Sequence, residues 1–438
     1  MSRARLDRPR PSGAHPRLLP SVPMRLFAAF AVSLLAPLAA QPLVVLNAGR
    51  LITMAGPDAE NVSILIENGR IRQIGTFPTP WNARTIDARG KVVMPTYVLA
   101  HTSGGMRGAN ENLANVPYLT VQDAVDPSSK FFQECLRNGI GTVHVIPGNR
   151  TLIGGQGLVC KPYGQTVEDL IVRGRGGLKV SLYSEAGGAL IQVQRLRRAL
   201  DEVRDHIADF ERRKKEFEAE KAAGATDKKE FDGRIDPTKQ PVVDLLQGKN
   251  VAFLYVPDAP RLVEARRLMR EYGFKAVLVV GPGTHKAITQ LDGLEFPVVL
   301  DGDLEVWEKD PVTGKSEKVC LGARLYERGV PFALDVSTGL NGAERFPWWQ
   351  MATLIRNGVD RATAMHAFTT VPAKVLGIAD EVGTIAVGKR ANLQILTGDP
   401  LAATTWVDTV LLDGEIVYER DKDPRLQYLF GVSQETDK

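Results

Sequence analysis

The sequence has few cysteines and no large excess of either charge. Its three cysteines, Cys135, Cys160 and Cys320, allow at most one disulfide, and none lies in a CxxC pair that would indicate a zinc knuckle or a redox motif. The formal net charge is +4 over 438 residues. No basic stripe with interleaved aromatic residues is present, so nucleic-acid binding is not expected. A P-loop and an early GxGxxG are also lacking, which makes a nucleotide-binding sheet the weaker interpretation.

Long hydrophobic runs are equally scarce. The stretch MRLFAAFAVSLLAPLAAQ begins at Met24 with a basic residue and ends in small residues before Gln41, which is the layout of a cleaved secretory signal. A buried helix or a membrane anchor is the alternative, but the run is short for a membrane span. We therefore interpret residues 1–41 as a disordered leader and signal peptide. The protein is expected to be exported, periplasmic or secreted, with no membrane span after cleavage.

Short alternating strands with tight turns occupy both ends of the chain. In residues 42–94 an Asn68-Gly69 pair separates two strand-like runs, and in residues 381–425 an Asp413-Gly414 pair does the same. Such pairs are strong hairpin signals. The two stretches predict a small composite β-sandwich built from both chain ends, followed by a tail over residues 426–438.

The middle of the chain alternates strands with helices. Runs such as GTVHVIP, VAFLYV and KAVLVV read as buried strands, and APRLVEARRLMREYGF reads as a helix with one apolar face. Repeated βα units with near-continuous apolar strands predict a parallel sheet covered by helices. The number of units favours a closed (β/α)8 TIM-like barrel over residues 95–380, an α/β fold.

A densely charged segment interrupts this pattern at about residues 196–240. Leu196, Leu200, Val203, Ile207 and Phe210 follow helical spacing, which predicts an amphipathic helix on a surface. A helix that caps the barrel with a solvated outer face is the preferred interpretation. The alternative is an arm that binds a partner or assembles copies of the chain.

Several segments in this order resemble the amidohydrolase superfamily, in particular its imidazolonepropionase-like branch. They are ILIENGRIRQIG with TIDARGKVVMP, GIGTVHVIPGNRTLIGGQGLVCKPYG, FTTVPAKVLGIADEVGTIAVGKRANLQIL and VLLDGEIVY. The resemblance implies a barrel with a composite β-sandwich. It also implies one or two divalent metals at the carboxyl ends of the strands, where a metal-bound water attacks a carbon–nitrogen bond.

The ligands that the resemblance implies are largely missing. The first strand would carry a His-x-His pair, but the chain has His101 followed by Ser103. Lys179 lies on the fourth strand without clearly matching the family's position. The catalytic aspartate aligns with Ser337, and Asp335 is two residues earlier, on the same strand face but deeper.

The small number of histidines strengthens this interpretation. The chain has six, and of these His101, His144 and His285 remain for a centre that normally uses four. Losing most ligands leaves no metal cage. We therefore expect His101 as the retained family ligand in a pocket lined by side chains from six positions, with no metal bound and no cofactor. The six are His101, Ser103, His144, Lys179, Asp335 and Ser337.

Two functional hypotheses follow. The first is a degenerate amidohydrolase that binds a small molecule in the barrel mouth, forms a homo-oligomer, or pairs with an active relative as its non-catalytic subunit. The second is an active hydrolase that cleaves a carbon–nitrogen bond of a small cyclic amide or related compound. It would use a rearranged site, with one metal such as zinc on His101, His144 and Asp335. The missing ligands favour the first hypothesis.

Overall fold

The computed structural model describes residues 43–183, 189–223, 230–335 and 346–429. The chain divides into two units, Met1–Ala40 and Gln41–Lys438. The first unit, and with it the predicted signal peptide, lies outside the described residues. So do the end of the predicted tail and Ser337.

Strands from both chain ends join in one seven-stranded sheet. The order across this sheet is β19-β18-β17-β4-β1-β2-β3, so the C-terminal strands follow directly on β4. The strands are β1 (Val44–Leu51), β2 (Ala59–Glu67), β3 (Arg70–Gly75), β4 (Arg84–Pro95), β17 (Leu393–Leu396), β18 (Val407–Leu412) and β19 (Glu415–Glu419).

The two halves of this sheet are linked through one strand and share one buried core, and the predicted sandwich stays a prediction. Strand β4 has twelve residues; its Arg84–Val93 part pairs with β1, and its Val92–Pro95 part pairs with β17. One long strand therefore hydrogen-bonds to both halves and merges them into one sheet. The predicted domain boundaries themselves stay a prediction.

Both predicted hairpin turns form as expected. Asn68 and Gly69 have φ values of 50° and 76°, and Asp413 and Gly414 have values of 50° and 77°. Two successive residues with positive φ are what a two-residue hairpin loop requires, and Asn-Gly and Asp-Gly pairs meet this requirement best.

The middle of the chain forms two further sheets and a separate hairpin. A six-stranded sheet has the order β16-β13-β12-β11-β10-β7, and a four-stranded sheet has the order β5-β6-β8-β9. Their bounds are β5 (Tyr97–Thr102), β6 (Ile140–Val145), β7 (Ile153–Gln156), β8 (Leu158–Cys160), β9 (Ile171–Arg173), β10 (Leu178–Ser181), β11 (Ala252–Asp258), β12 (Ala276–Gly283), β13 (Val298–Leu300) and β16 (Phe332–Leu334). Strands β14 (Glu305–Lys309) and β15 (Ser316–Cys320) form the hairpin.

Helices connect and cover the parallel strands. They are α1 (Lys130–Arg137), α2 (Val167–Leu170), α3 (Ala189–Ala222), α4 (Gln240–Leu246), α5 (Ala259–Tyr272), α6 (Leu321–Glu327), α7 (Pro347–Arg356), α8 (Arg361–His366), α9 (Thr370–Val375) and α10 (Pro424–Leu429). Short 3-10 helices lie at Val121–Asp123, Thr284–Leu291 and Arg420–Lys422. The predicted strands in GTVHVIP, VAFLYV and KAVLVV and the helix after VAFLYV are confirmed.

The α/β class is confirmed, but a closed ring of eight hydrogen-bonded strands is not seen in the described part of the chain. The main chain at Ala367 and Phe368 connects β16 and β5 through hydrogen bonds to both strands. The Ala367 carbonyl accepts from the Leu334 N–H at 3.1 Å, and the Phe368 carbonyl accepts from the Val98 N–H at 2.8 Å. A turn of main chain therefore lies where direct strand pairing would close a barrel, and it brings the ends of β5 and β16 together.

The predicted charged helix is present but begins at Ala189, before the expected start at Leu196. Val193, Leu196, Leu200 and Val203 are buried, whereas residues 211–216 are exposed. The helix starts earlier than its charge pattern because Val193 already packs into the core. Among the described residues, no helix is long and apolar enough to cross a membrane.

Candidate functional site

A hydrogen-bonded pair of side chains lies where β5 and β16 end. His101 is the penultimate residue of β5, and Asp335 directly follows β16. The Asp335 Oδ2 atom lies 2.7 Å from His101 Nδ1. Because a carboxylate accepts hydrogen bonds, His101 carries its proton on Nδ1, and its Nε2 atom is left as an acceptor.

Lys179 is the hydrogen-bond partner of the Nε2 acceptor. Its Nζ atom lies 2.6 Å from His101 Nε2. Lys179 pairs with Phe253 on the strand β11, and its neighbours Leu178 and Val180 pack on the opposite, helix-covered face. Since side chains alternate along a strand, this pattern turns Lys179 away from the helix layer and toward His101.

The polar chain continues through Asn149 to a second carboxyl group. Lys179 Nζ donates to Asn149 Oδ1 at 2.6 Å, and Asn149 Nδ2 donates to Asp301 Oδ2 at 2.6 Å. Ser181 Oγ donates to the Asn149 carbonyl at 2.5 Å, which holds the loop after β6 in place. The result is a continuous sequence of contacts from Asp335 through His101, Lys179 and Asn149 to Asp301, which we call the polar chain.

Three members of the polar chain are shielded from solvent, whereas Asn149 and Asp301 are half-buried. The exposed fractions of His101, Lys179 and Asp335 are 3%, 0% and 4%. Lys179 Nζ also lies 5.7 Å from the centre of the Tyr255 ring, within range of a cation–π contact. An ammonium group buried this deeply is stable when carboxylates and an aromatic face surround it, and both are present here.

Burial shifts the pKa of three members of the polar chain. It lowers the pKa of Lys179 to about 7, against the opposing charges of Asp301 and Asp335. Burial and then the Lys179 charge hold the pKa of His101 well below its usual value, so the imidazole is neutral. Burial and then the Asp335 charge raise the pKa of Asp301.

The lysine predicts a pH dependence of stability. A base whose pKa is lowered by folding binds fewer protons in the native state, so its contribution to stability grows as pH rises from about 7 toward the unfolded value of about 10.4. Relative to Lys179→Met, the wild-type free energy of unfolding should rise by about 2 kcal/mol between pH 7 and pH 9. Urea unfolding of both proteins at the two pH values measures this. A constant difference would show that Lys179 does not titrate there.

The polar chain does not fit a divalent metal at His101. A zinc ion would lie about 2.0 to 2.1 Å from the ligating nitrogen, and Lys179 Nζ occupies that space at 2.6 Å from His101 Nε2. An ammonium and a metal ion cannot share it. Among the described residues, no three His, Cys, Asp or Glu side chains are arranged to hold a metal ion.

Two other predicted pocket residues, Ser103 and His144, take no part in the polar chain. Ser103 is half-buried in the loop after β5. His144 is buried on β6 with Nδ1 2.7 Å from the Ala100 carbonyl, and burial lowers its pKa to about 3. Its Nε2 atom faces Gly157 and Gly176, where an added Cβ would lie 2.4 and 2.5 Å away. The alternative metal site would require the ligand atoms of His101, His144 and Asp335 to converge on one point, and within the described residues they do not.

Three members of the site escaped the sequence analysis: Asn149, Asp301 and Tyr255. Asp301 directly follows the strand β13, and Asn149 lies in the loop that follows β6. Functional side chains in α/β folds gather at the carboxyl ends of parallel strands. A systematic reading of polar residues at those ends would have found Asn149 and Asp301.

Comparison with known proteins finds a family match over one segment of the chain and a similar overall fold. The sequence model described as the amidohydrolase family matches residues 342–418. An amidohydrolase from Thermotoga maritima MSB8 is similar in structure, with a TM-score of 0.76 and 24% identity over 86% of this chain and 100% of that one. At this identity the likeness bears on the fold. No curated protein matches the sequence.

Other solved structures are similar only in outline. Molinate hydrolase has a TM-score of 0.48 and 18% identity over 86% of this chain and 94% of its own. An adenosine deaminase from Xanthomonas campestris with bound zinc has a TM-score of 0.42 and 14% identity over 85% of this chain and 92% of its own. Scores this low carry no argument about this chain.

Proposed function

We propose that this chain, whose fold and C-terminal segment are those of the amidohydrolase superfamily, is an exported homologue without a hydrolytic metal centre. One observation carries the proposal: both ring nitrogens of His101 are occupied, Nδ1 by Asp335 and Nε2 by Lys179. In a metal-dependent hydrolase the cation must keep an open position for the attacking water. The Lys179 ammonium provides positive charge without such a position.

The lysine therefore acts as an internal cation. While it is protonated, it offsets the negative charge of Asp335 and Asp301, and burial lowers its pKa to about 7. It has no coordination site at which to bind a water and lower its pKa. We infer a role in binding rather than in hydrolysis, with a small molecule in the barrel mouth as the ligand class.

The metal content of the purified protein tests this proposal. Wild-type protein prepared without chelators should carry far less than one equivalent of zinc, iron or manganese by inductively coupled plasma mass spectrometry. His101→Ala serves as the matched control and should give the same value. Stoichiometric metal in the wild type that is lost in His101→Ala would instead support an active hydrolase with a rearranged site.

Export is a separate part of the proposal. It rests on the apolar run from Met24 and the small residues before Gln41. When the full chain is expressed in a secreting bacterial host, amino-terminal sequencing of protein from the periplasm or medium should begin near Gln41. Protein that stays in the cytoplasm with its first residues intact would contradict export and leave the metal argument untouched.

A further inference from the structure

The β14–β15 hairpin is attached to the edge of the sheet at which the polar chain ends. Asp301 directly follows β13, and residues 302–304 lead from it into β14. The outer side of the hairpin is open to solvent, since Trp307 has 71% of its surface exposed. Two carboxyl groups of β14, Glu305 and Glu308, bind the hairpin to neighbouring elements.

The attachment at Glu305 does not change with pH near neutrality. Glu305 accepts hydrogen bonds from Arg356 Nη2 and Asn357 Nδ2 at the end of α7, both at 2.7 Å. Lys318 on the neighbouring strand β15 donates a further one at 2.8 Å. The Lys318 hydrogen bond is the main cause that lowers the pKa of Glu305 to about 2. The Glu305 carboxylate is therefore ionised at every pH at which the protein is handled.

The attachment at Glu308 includes a histidine whose two ring nitrogens both face acceptors. His285 lies in the 3-10 helix after β12, and its Nδ1 atom is 2.8 Å from the Pro282 carbonyl oxygen. Its Nε2 atom is 3.1 Å from Glu308 Oε2. A carbonyl and a carboxylate accept hydrogen bonds but donate none. Both nitrogens must carry a proton to form these contacts, so the docked hairpin requires His285 as an imidazolium ion.

Lys286 shares the same carboxylate but adds no pH dependence near neutrality. Its Nζ atom lies 3.0 Å from Glu308 Oε1. The hydrogen bond from Lys286, and after it the one from His285, lowers the pKa of Glu308. The carboxylate is therefore ionised and binds one cation at each oxygen. A lysine amine in contact with water keeps its charge through pH 8, whereas an imidazole does not.

The other charged side chains around the 3-10 helix have partners of their own. These pairs are Asp258 with Arg261, Asp292 with Arg328, and Glu317 with Arg324. Carboxylates and guanidinium groups keep their charge between about pH 5.5 and pH 8. Burial raises the pKa of Asp301, but its carboxyl group accepts from Asn149 in the polar chain. Among these described groups, His285 is the one beside Glu308 that changes charge in this range.

We propose that His285 is a pH-dependent latch that fastens the β14–β15 hairpin to the loop after β12. While the imidazole is protonated, it bridges the Pro282 carbonyl and the Glu308 carboxylate. When it loses a proton, one ring nitrogen becomes an acceptor that faces another acceptor, and the bridge opens. Docking is therefore favoured in acid and weakened as pH rises, while Glu305 keeps the hairpin tethered. Neither His285 nor Glu308 belongs to the polar chain, so the latch acts whether or not a metal binds at His101.

Hydrogen–deuterium exchange of the full-length protein at about pH 5.5 and about pH 8 tests the latch. After correction for the intrinsic exchange rate, protection of the amides in β14 and β15 should be at least about threefold lower at the higher pH, the effect of one ion pair near the surface. The β2–β3 hairpin holds no histidine. It is the internal reference and should keep its protection at both pH values.

Two variants assign the effect to the histidine. His285→Gln removes the titrating ring, so its β14–β15 hairpin should have the same protection at both pH values. Lys286→Gln is the matched control, because it removes the other cation on Glu308; it should lower protection at both pH values and keep the threefold ratio. The proposal is overturned if wild-type protection does not depend on pH, if His285→Gln keeps the wild-type ratio, or if the β2–β3 hairpin changes in parallel.

Discussion

Replacing Lys179 with glutamate should lower the free energy of unfolding by about 4 kcal/mol or more in metal-free buffer. The substitution removes the one cation from a buried chain that ends in Asp335 and Asp301 and adds a third carboxyl group. The loss of the hydrogen bonds from Lys179 to His101 and Asn149 and the burial of a further carboxyl group each cost about 1–3 kcal/mol or more. Reversing the charge costs more because the remaining carboxyl groups then repel one another.

The same variant should recover stability when zinc is added. With the ammonium gone, Lys179→Glu places a carboxyl group beside His101 Nε2, and an imidazole and a carboxylate are donors that zinc accepts. Zinc at 100 times its dissociation constant would return about 2.7 kcal/mol. Wild-type protein should not respond, because Lys179 Nζ already occupies the space beside His101 Nε2.

Urea unfolding with and without zinc measures both effects. Lys315→Glu is the matched control, because Lys315 is exposed in the turn of the β14–β15 hairpin. It should change the free energy of unfolding by no more than about 0.5 kcal/mol. If Lys179→Glu unfolds like the wild type, or if zinc stabilises both proteins equally, then Lys179 is not the internal cation.

Gly177→Ala should also be strongly destabilising, by about 2–4 kcal/mol. Gly177 directly precedes β10 and has a φ of +100°, a conformation that residues with a Cβ rarely adopt. An added Cβ would lie 2.8 Å from the Val251 carbonyl oxygen and 2.8 Å from the Phe253 ring. The strand would have to shift, and Lys179 would move with it.

Gly174→Ala provides the control three residues earlier. An added Cβ at Gly174 meets nothing within 4 Å. Its effect should stay within about 0.5 kcal/mol, as for other surface substitutions. Thermal unfolding of Gly177→Ala and Gly174→Ala, measured side by side, shows whether only the first variant is destabilised. Equal stabilities would show that the turn before β10 tolerates a side chain and does not fix the position of Lys179.

Local chemistry made much of the fold predictable. The Asn68-Gly69 and Asp413-Gly414 turns specify their hairpins by backbone preference alone, and the apolar strands around Val277 and Leu254 need helices on one face. The predicted resemblance to the amidohydrolase superfamily is confirmed over residues 342–418, where the family model matches, whereas the narrower imidazolonepropionase-like branch stays a prediction. The association of both chain ends was predicted, but the register by which β4 pairs with β17, across about three hundred residues, was not, because no local pattern sets it.

The candidate site was predictable in three of its members but not in the others or in its arrangement. His101, Lys179 and Asp335 were each identified through the resemblance to the amidohydrolase superfamily. The order of these side chains in the polar chain could not be predicted, because contacts between distant strands decide whether a lysine faces solvent, a carboxylate or an imidazole. Ser337 lies outside the described residues, so its predicted place in the pocket stays a prediction.

A crystal soaked in zinc, with anomalous diffraction recorded at the zinc edge, tests the central claim most directly. We expect electron density for the Lys179 amine at hydrogen-bond distance from His101 Nε2, and no anomalous peak at that position. An anomalous peak at about 2.0 to 2.1 Å from that nitrogen, with Lys179 displaced, would contradict the proposed loss of the metal centre and would support a metal-dependent hydrolase.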